Sequence, residues 1–410
     1  MNTQDRVDAD SSTIRWLFLD MNSFFASCEQ QVQPALRGRP VAVVPVMAAT
    51  SCVIAASYEA KARGVRTGTL VRDARLLCPG ITFVLARPKL YVDFHHRFCA
   101  AIERHIPIDQ ILSIDEVACS LDRRERDPTV AFALARRLKA ELREQVGVCL
   151  TCSIGIAGNR LLAKLASDMQ KPDGLVLLHP ADLPRAILHL PPSAIAGIGA
   201  RMEARLAAYG LNDMAALWEA SPALLRRVWG GVVGARFYAL LHGGDLPSVA
   251  TTSRSLGHQH VLPPENRSLQ GAYPIARQLL TRAAVRLRRD GFFAQRLALD
   301  VKTLVPAGHL GDEARFAETQ ETGFLLGVLH DLWARLPACT PFRVGVTLAG
   351  LTPAADHQPD LFERPRDRAL GLLLDRINAR FGRDTIAYGF PQGPRTAKIA
   401  FSRVPGLDEV

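Results

Sequence analysis

The sequence predicts a multidomain α+β protein, and three observations carry that reading. The chain has 410 residues, beyond the roughly 250–300 at which a single core stops growing. Its first 180 residues alternate strand-like and helix-like patterns, which places the region in the α/β or α+β class. After Pro191-Pro192 the pattern turns to short helices punctuated by glycine, and from Thr251 it is mixed again. A small all-α unit therefore separates two modules that contain sheet.

Taken in order, residues 14–20 form an apolar strand and a helix starts at about Asn22. Residues 40–46 and 51–57 read as strands. Residues 110–114 and 117–121 are strand-like runs flanking Asp115-Glu116, so these acids sit at or beside a hairpin turn. An amphipathic helix over about Val130 to Val146 leads to a strand at 148–157, and a further helix follows Asn159. This order suits a split βαβ sheet with helices on one face. The all-α unit carries Gly197, Gly199, Gly210 and Gly230-Gly231. The last module reads as strand 252–262, a basic helix at 281–291, strand 297–303, a helix ending near Leu336 and strand 342–351. Beyond it, Leu370, Leu373, Leu374, Ile377 and Phe381 make an apolar helical stripe closed by Gly382, with packing onto the protein body expected and a partner protein as the alternative.

The N-terminal residues 1–13 are polar and read as a disordered leader, with no secretory pattern. No run of about 18 apolar residues offers a membrane span, so a cytoplasmic protein with no membrane partner is expected. The eight cysteines are scattered through apolar segments and read as buried free thiols. Cys149 and Cys152 have CxxC spacing but fall in a strand-like run, where residues three apart point to opposite faces. His95-His96 and His258-x-His260 read as surface histidines. The net charge of +10 favours a polyanionic partner. The excess is local, since residues 251–300 hold eight arginines against three acids, as a phosphate-tracking surface requires.

Asp20 ends an apolar strand, where an acid is costly to bury unless it is paired or metal-bound. Asp115 and Glu116 lie between two apolar strands. Three such carboxylates can converge on two divalent cations, which take hard oxygen ligands. Spacing leaves this reading open beside that of ordinary turn acids.

Residues 19–29 (Leu-Asp-Met-Asn-Ser-Phe-Phe-Ala-Ser-Cys-Glu), 57–65 (Ser-Tyr-Glu-Ala-Lys-Ala-Arg-Gly-Val) and Ser113-Ile114-Asp115-Glu116 resemble the Y family of translesion DNA polymerases. So do Ser153-Ile154-Gly155-Ile156 through Asn159, Ala163-Lys164-Leu165-Ala166 and Lys171-Pro172-Asp173-Gly174, in the same order. The resemblance spans residues 14–362. It implies a right-hand polymerase with a ferredoxin-like palm (14–38 and 100–185), fingers (39–99), a helix-hairpin-helix thumb (186–245) and an α/β little finger (253–352). A clamp-binding peptide and tail would occupy 353–410. The implied activity is error-prone nucleotidyl transfer from a dNTP to a primer 3′-OH across damaged template, in the SOS response and without a proofreading exonuclease.

By the same resemblance, Asp20, Asp115 and Glu116 bind two Mg2+ ions and Met21 offers its backbone carbonyl. Phe25 matches the steric gate against the ribose 2′-OH; Phe24 joins it at the nucleotide site, with a core role as the alternative. Tyr58, Lys61 and Lys171 match contacts to the incoming triphosphate, a role suited to cations and a phenol. Asn22 stands where many members have aspartate, and Lys61 where many have arginine; both are similar to the polymerase V catalytic subunit. Lysine lacks arginine's fork, so triphosphate binding is expected to be geometrically looser.

Gly197 and Gly199, followed by a helix, resemble the helix-hairpin-helix, whose amides approach a DNA phosphate. Arg254, Arg286, Arg288 and Arg289 are the candidate DNA contacts of the little finger. Gln358-Pro359-Asp360-Leu361-Phe362 resembles the bacterial sliding-clamp peptide, with Gln358, Asp360, Leu361 and Phe362 meeting the clamp β subunit. The implied partners are primer-template DNA, dNTPs, the clamp and mutagenesis accessory proteins, with the chain itself monomeric. The rival readings are an inactive clamp-tethered DNA adaptor, which would lack the acids, and a nucleotide cyclase, which would have no use for the thumb and basic module.

Overall fold

The computed structural model describes residues 13–247, 254–358, 365–382, 385–389 and 404. The chain divides into two compact units, Met1–Ser248 with Lys398–Val410, and Val249–Ala397.

In the first unit, β1 (Trp16–Met21) leads into α1 (Phe24–Val32), followed by β2 (Val41–Val44), β3 (Ala55–Ala56), α2 (Tyr58–Lys61), α3 (Val71–Leu77) and β4 (Thr82–Leu85). Next come α4 (Pro88–Glu103), β5 (Gln110–Ile111), β6 (Glu116–Ser120), α5 (Pro128–Gln145), β7 (Cys152–Ala157), α6 (Arg160–Met169) and β8 (Leu175–Leu178). The helices α7 (Ala200–Ala208), α8 (Met214–Glu219), α9 (Pro222–Trp229) and α10 (Val232–Leu241) complete it. The main sheet runs β5-β6-β1-β7-β8, with β1 antiparallel to both neighbours. The second sheet, β3-β2-β4, has its own core of Val44, Val53, Val65 and Val71.

The strand expected at 51–57 shrinks to Ala55–Ala56 with an isolated bridge from Cys52 to Leu70, because its apolar residues fill that small core from a loop. The fingers boundary expected at residue 99 falls inside α4. That helix sinks Tyr91, Phe94 and Phe98 into the core beneath the main sheet.

Helices cover both faces of the main sheet, which corrects the one-face expectation. Leu17, Leu19, Val117, Ile154 and Ile156 meet α4 and α5 on one side. On the other, Phe18, Ala118 and Ala157 meet Leu162 and Leu165 of α6, and that core continues into α7–α10 through Leu206, Leu217, Leu225 and Leu241. This is why β1 is a continuous apolar run rather than an alternating one. Each such aliphatic side chain contributes about 1.5–3 kcal/mol on burial. Gly155 lets α6 approach: a Cβ there would lie 2.0 Å from the Ala163 carbonyl oxygen. Asn159 caps α6, its Oδ1 accepting from Leu162 N at 2.9 Å.

In the second unit, β9 (Ser255–Val261), α11 (Leu269–Arg289), β10 (Phe292–Val305), β11 (Ala307–Thr319), α12 (Thr322–Ala334), β12 (Thr340–Ala349), β13 (Thr352–Pro353) and α13 (Pro365–Phe381) follow in order. Its sheet is β11-β10-β12-β9, and α11 and α12 pack on one face over Leu297, Leu299, Val344 and Val346. His258 and His260 alternate in register with Leu256 on that covered face and are half-buried. Burial, then Arg282, pushes the His260 imidazole down to about 4. They are therefore not surface histidines, because the strand's alternation points them under the helices. The apolar stripe of α13 is only partly its packing face, with Leu374 and Ile377 half-buried. Leu370, Leu373 and Phe381 are exposed, while Gly371 and Asp375 meet Arg288. A paired charge and a close backbone approach dock this helix, where its periodicity pointed to leucines.

Candidate active site

Register brings two of the acids together. Asp20, at the end of β1, lies directly opposite Glu116, the first residue of β6, and opposite Ser153 of β7 on its other side. Asp115 joins them from the hairpin turn, where its carbonyl accepts from Met21 N at 2.9 Å. Ser113 Oγ donates to Asp115 Oδ1 at 2.5 Å. His95 is buried, against the surface position expected for it, and bonds the Ile114 carbonyl through Nδ1 at 2.8 Å, fixing the turn from below. His96 beside it is exposed.

The carboxylates face lysines. Lys164 Nζ, on α6, lies 2.5 Å from Asp20 Oδ2, 2.7 Å from Glu116 Oε1 and 3.2 Å from Asp168 Oδ2. Lys171 Nζ lies 2.7 Å from Asp20 Oδ2 and 2.8 Å from Asp168 Oδ1. Burial works to raise the Asp20 carboxyl, but Lys164 and Lys171 outweigh it and hold the group below its ordinary value. Burial wins at Asp115, against the Ser113 hydrogen bond, and at Glu116, against Lys164, so both carboxyls are raised. Among the described residues no three His, Cys, Asp or Glu side chains are arranged to hold a metal ion. Asp20 and Glu116 meet ammonium groups, and three carboxylates at adjoining strand ends are the hard-oxygen donors that divalent cations take.

The nucleotide candidates surround this row. Phe25 stacks face to face on Tyr91, with ring centroids 4.2 Å apart and planes 11° apart. Tyr91 Oη donates to Glu29 Oε1 at 2.8 Å, and Arg87 clamps the same fully buried carboxylate. Phe24 is 3% exposed and packs edge-on against Phe98. Its side chain lies in the sheet's main core, with the ring 5.9 Å from that of Phe25. Lys61 Nζ sits 4.4 Å over the Tyr58 ring. Burial and then Lys171 depress the Lys61 ammonium, whereas at Lys171 the contacts to Asp20 and Asp168 outweigh burial and raise it.

Sequence reasoning did not place Lys164, Asp168, Tyr91 or His95 at the site. Lys164 and Asp168 left one signal, a charged pair at i,i+4 on α6 with its lysine set between the buried Leu162, Ala163 and Leu165.

Elsewhere, Ile195 and Ile198 are buried while Gly197 and Gly199 are exposed, the latter capping α7. Arg254 is exposed, and Arg286 and Arg289 both pair with Asp290. Arg288 corrects the list of DNA contacts. It is buried, forked onto Asp375 at 2.7 and 2.8 Å, and donates to Gln320 O and Thr322 Oγ1 at 2.8 Å. The open sheet face carries a second basic set, in which Lys302 lies opposite both His309 and Arg343, and Arg296 opposite Arg315, with Asp300 2.9 Å from Arg343 and Glu313 3.2 Å from Arg296. Gln358 is exposed; Asp360, Leu361 and Phe362 lie outside the described residues. All eight cysteines are free thiols, and β7 begins at Cys152, leaving Cys149 in the preceding turn. No described helix is long and apolar enough to cross a membrane.

Residues 19–168 match the impB/mucB/samB family and residues 253–361 match its C-terminal domain. DNA polymerase IV of Moorella thermoacetica is 37% identical over 92% of this chain and 96% of its own length. DNA polymerase IV of Gluconobacter oxydans is 34% identical over 84% of this chain and 95% of its own. Among solved structures, a Y-family DNA polymerase chimera of Dbh and Dpo4 has TM-score 0.69 and 23% identity, covering 83% of this chain and 99% of that one, which bears on the fold. The chain belongs to the impB/mucB/samB family of Y-family DNA polymerases. It is accordingly a metal-dependent, DNA-directed DNA polymerase of the translesion class.

Proposed function

We propose that Asp20, Asp115 and Glu116, with the Met21 carbonyl, hold two Mg2+ ions and are the catalytic centre of this polymerase. The observation that carries the reading is the row of Asp20 and Glu116 across adjacent strands, with Asp115 hydrogen-bonded to the same strand end. The ions would supply activation of the primer 3′-OH and neutralisation of the leaving pyrophosphate. The protein's own groups bind and orient the substrates. Lys61, Lys171 and Tyr58 receive the triphosphate, supported by Lys171 standing 2.7 Å from Asp20 and by Lys61 lying 4.4 Å over the Tyr58 ring. Phe25, braced on Tyr91, closes the sugar pocket against a 2′-OH.

Primer-template DNA is tracked through phosphates by the amides at Gly197 and Gly199 and by the open sheet face of the second unit. Lys302, Arg343, Arg296 and Arg315 cluster on that face, with Asp300 and Glu313 pairing to three of them, and this basic cluster supports sequence-independent phosphate contacts there. Arg254, Arg286 and Arg289 extend the basic set; Arg288 is excluded by its burial. Gln358, Asp360, Leu361 and Phe362 tether the chain to a sliding clamp, raising the polymerase's effective concentration at the primer end.

Primer extension with Mg2+ by the Asp115→Ala/Glu116→Ala variant tests the assignment. Extension is expected to vanish while DNA binding at low salt persists. Substantial extension would remove these acids from the chemistry.

A further inference from the structure

Two non-glycine residues among those described have left-handed backbone, Ser23 at φ 48° and Asp173 at φ 55°. Both border the candidate site, and such strain, about 1–3 kcal/mol per residue, persists where surrounding contacts over-determine it. The contacts meet at Asn22, which is 2% exposed. Its Oδ1 accepts from Asp173 N at 2.8 Å, Thr151 Oγ1 at 3.3 Å and Ser153 Oγ at 3.4 Å. Its Nδ2 donates to Ser153 Oγ at 3.0 Å, its backbone N to Thr151 O at 2.9 Å, and its carbonyl accepts from Ser27 Oγ at 2.7 Å. One side chain and its peptide groups thus join β1, α1, the approach to β7 and the turn that follows Lys171.

We propose that Asn22 is a positioning residue for the triphosphate end of the nucleotide site, holding the 171–174 turn so that the Lys171 ammonium stands over Asp20. The other side of the turn is pinned independently. Lys139 Nζ donates to Asp173 O and Cys152 O, each at 2.7 Å, and Arg143 pairs with Asp173 Oδ2 at 3.1 Å. The backbone at Gly174 packs closely on the preceding turn, since a Cβ there would lie 1.7 Å from the Gln170 carbonyl oxygen. On the active-site side, the hydrogen bond from Asp173 N to Asn22 fixes the peptide two residues beyond Lys171. What the position requires is an acceptor. All three groups that meet Oδ1 are able to donate, and Ser153 Oγ, the partner of Nδ2, can donate as well as accept. A carboxylate at this position satisfies the same network, whereas an alkyl side chain leaves a buried amide unpaired.

The inference rests on Lys171 as a triphosphate contact, so the test pairs kinetics with a readout that does not depend on it. For Asn22→Ala, the KM for dNTP is expected to rise about five- to twentyfold, the loss of one buried hydrogen bond, with kcat changing less than about threefold. Asn22→Asp is expected to restore KM to within about twofold of the unmodified chain. Amide hydrogen exchange at Asp173 and Gly174, read without nucleotide, is expected to quicken in Asn22→Ala and not in Asn22→Asp. Unchanged KM in Asn22→Ala, or an Asn22→Asp chain whose KM rises as far, overturns the proposal. If Asn22→Ala does not fold, the Asp variant alone decides, because raised KM or quickened exchange there has the same force. Exchange that responds as expected while Lys171→Gln leaves KM unchanged overturns the triphosphate reading and, with it, the proposed role of the turn.

Discussion

Replacing Lys164 with methionine removes the cation that meets both Asp20 and Glu116 while keeping most of the side chain's bulk. Lys164 is 17% exposed at its side chain and Asp20 is 8% exposed, so the pair is largely shielded from water. Breaking such a pair from one side costs about 3–5 kcal/mol. Two features reduce that figure here: Lys171 still meets Asp20 at 2.7 Å, and Glu116, at 27% exposure, can rehydrate. We expect a loss of about 2–3 kcal/mol, or a fall in Tm of about 4–12 °C for a unit of this size. Divalent cations restore the missing positive charge, and in the variant they do not compete with the Lys164 ammonium. Thermal unfolding with and without Mn2+ therefore reads both parts. The variant's Tm should be lower without metal and should rise more with metal than that of the unmodified chain. Equal metal-induced shifts, or an unchanged Tm without metal, would refute the view that Lys164 acts as internal counter-charge to the acid row.

Three further expectations follow from the same geometry. Phe25→Ala leaves a gap over Tyr91 and should admit ribonucleotides; single-nucleotide insertion of rNTP against dNTP measures it, and unchanged sugar selectivity would remove Phe25 from the gate. Burial raises the folded-state Asp115 carboxyl, so the protonated form is the stabilised one and that stability is lost as pH rises through the folded pKa. Asp115→Asn should thus raise Tm at neutral pH, by about 2–4 °C for each kcal/mol relieved. The gain should fade as the pH falls below the raised pKa, while primer extension is lost at every pH. Arg288→Met should destabilise the second unit by about 3 kcal/mol by stranding Asp375, and the added Asp375→Met should recover much of it, as read by denaturant midpoints.

Much of this was legible in sequence because β1 ends on an acid after a run buried on both faces, and because the acidic dipeptide interrupts two apolar strands. The hairpin, the helix following Asn159 and the division near residue 250 followed from local patterning. What sequence missed lay in tertiary partners. Lys164 meets Asp20 and Glu116 only because Gly155 lets α6 close on the sheet. Arg288 reads as one more cation until Asp375, 87 residues on, is found against it. The stripe of α13 packs only through Leu374 and Ile377, because periodicity reports which face is apolar and not which charges find a partner. His95 and His260 read as surface histidines for want of a second ligand pair nearby in sequence, and their burial depends on elements far away in the chain.

The central claim is that Asp20, Asp115 and Glu116 together bind two divalent ions. Mn2+ bound per chain, counted by magnetic resonance in the presence of primer-template lacking a 3′-OH and a matched dNTP, tests it most directly. The count should be two beyond nonspecific DNA binding and should collapse in Asp115→Ala/Glu116→Ala; the same count in both proteins would contradict the account.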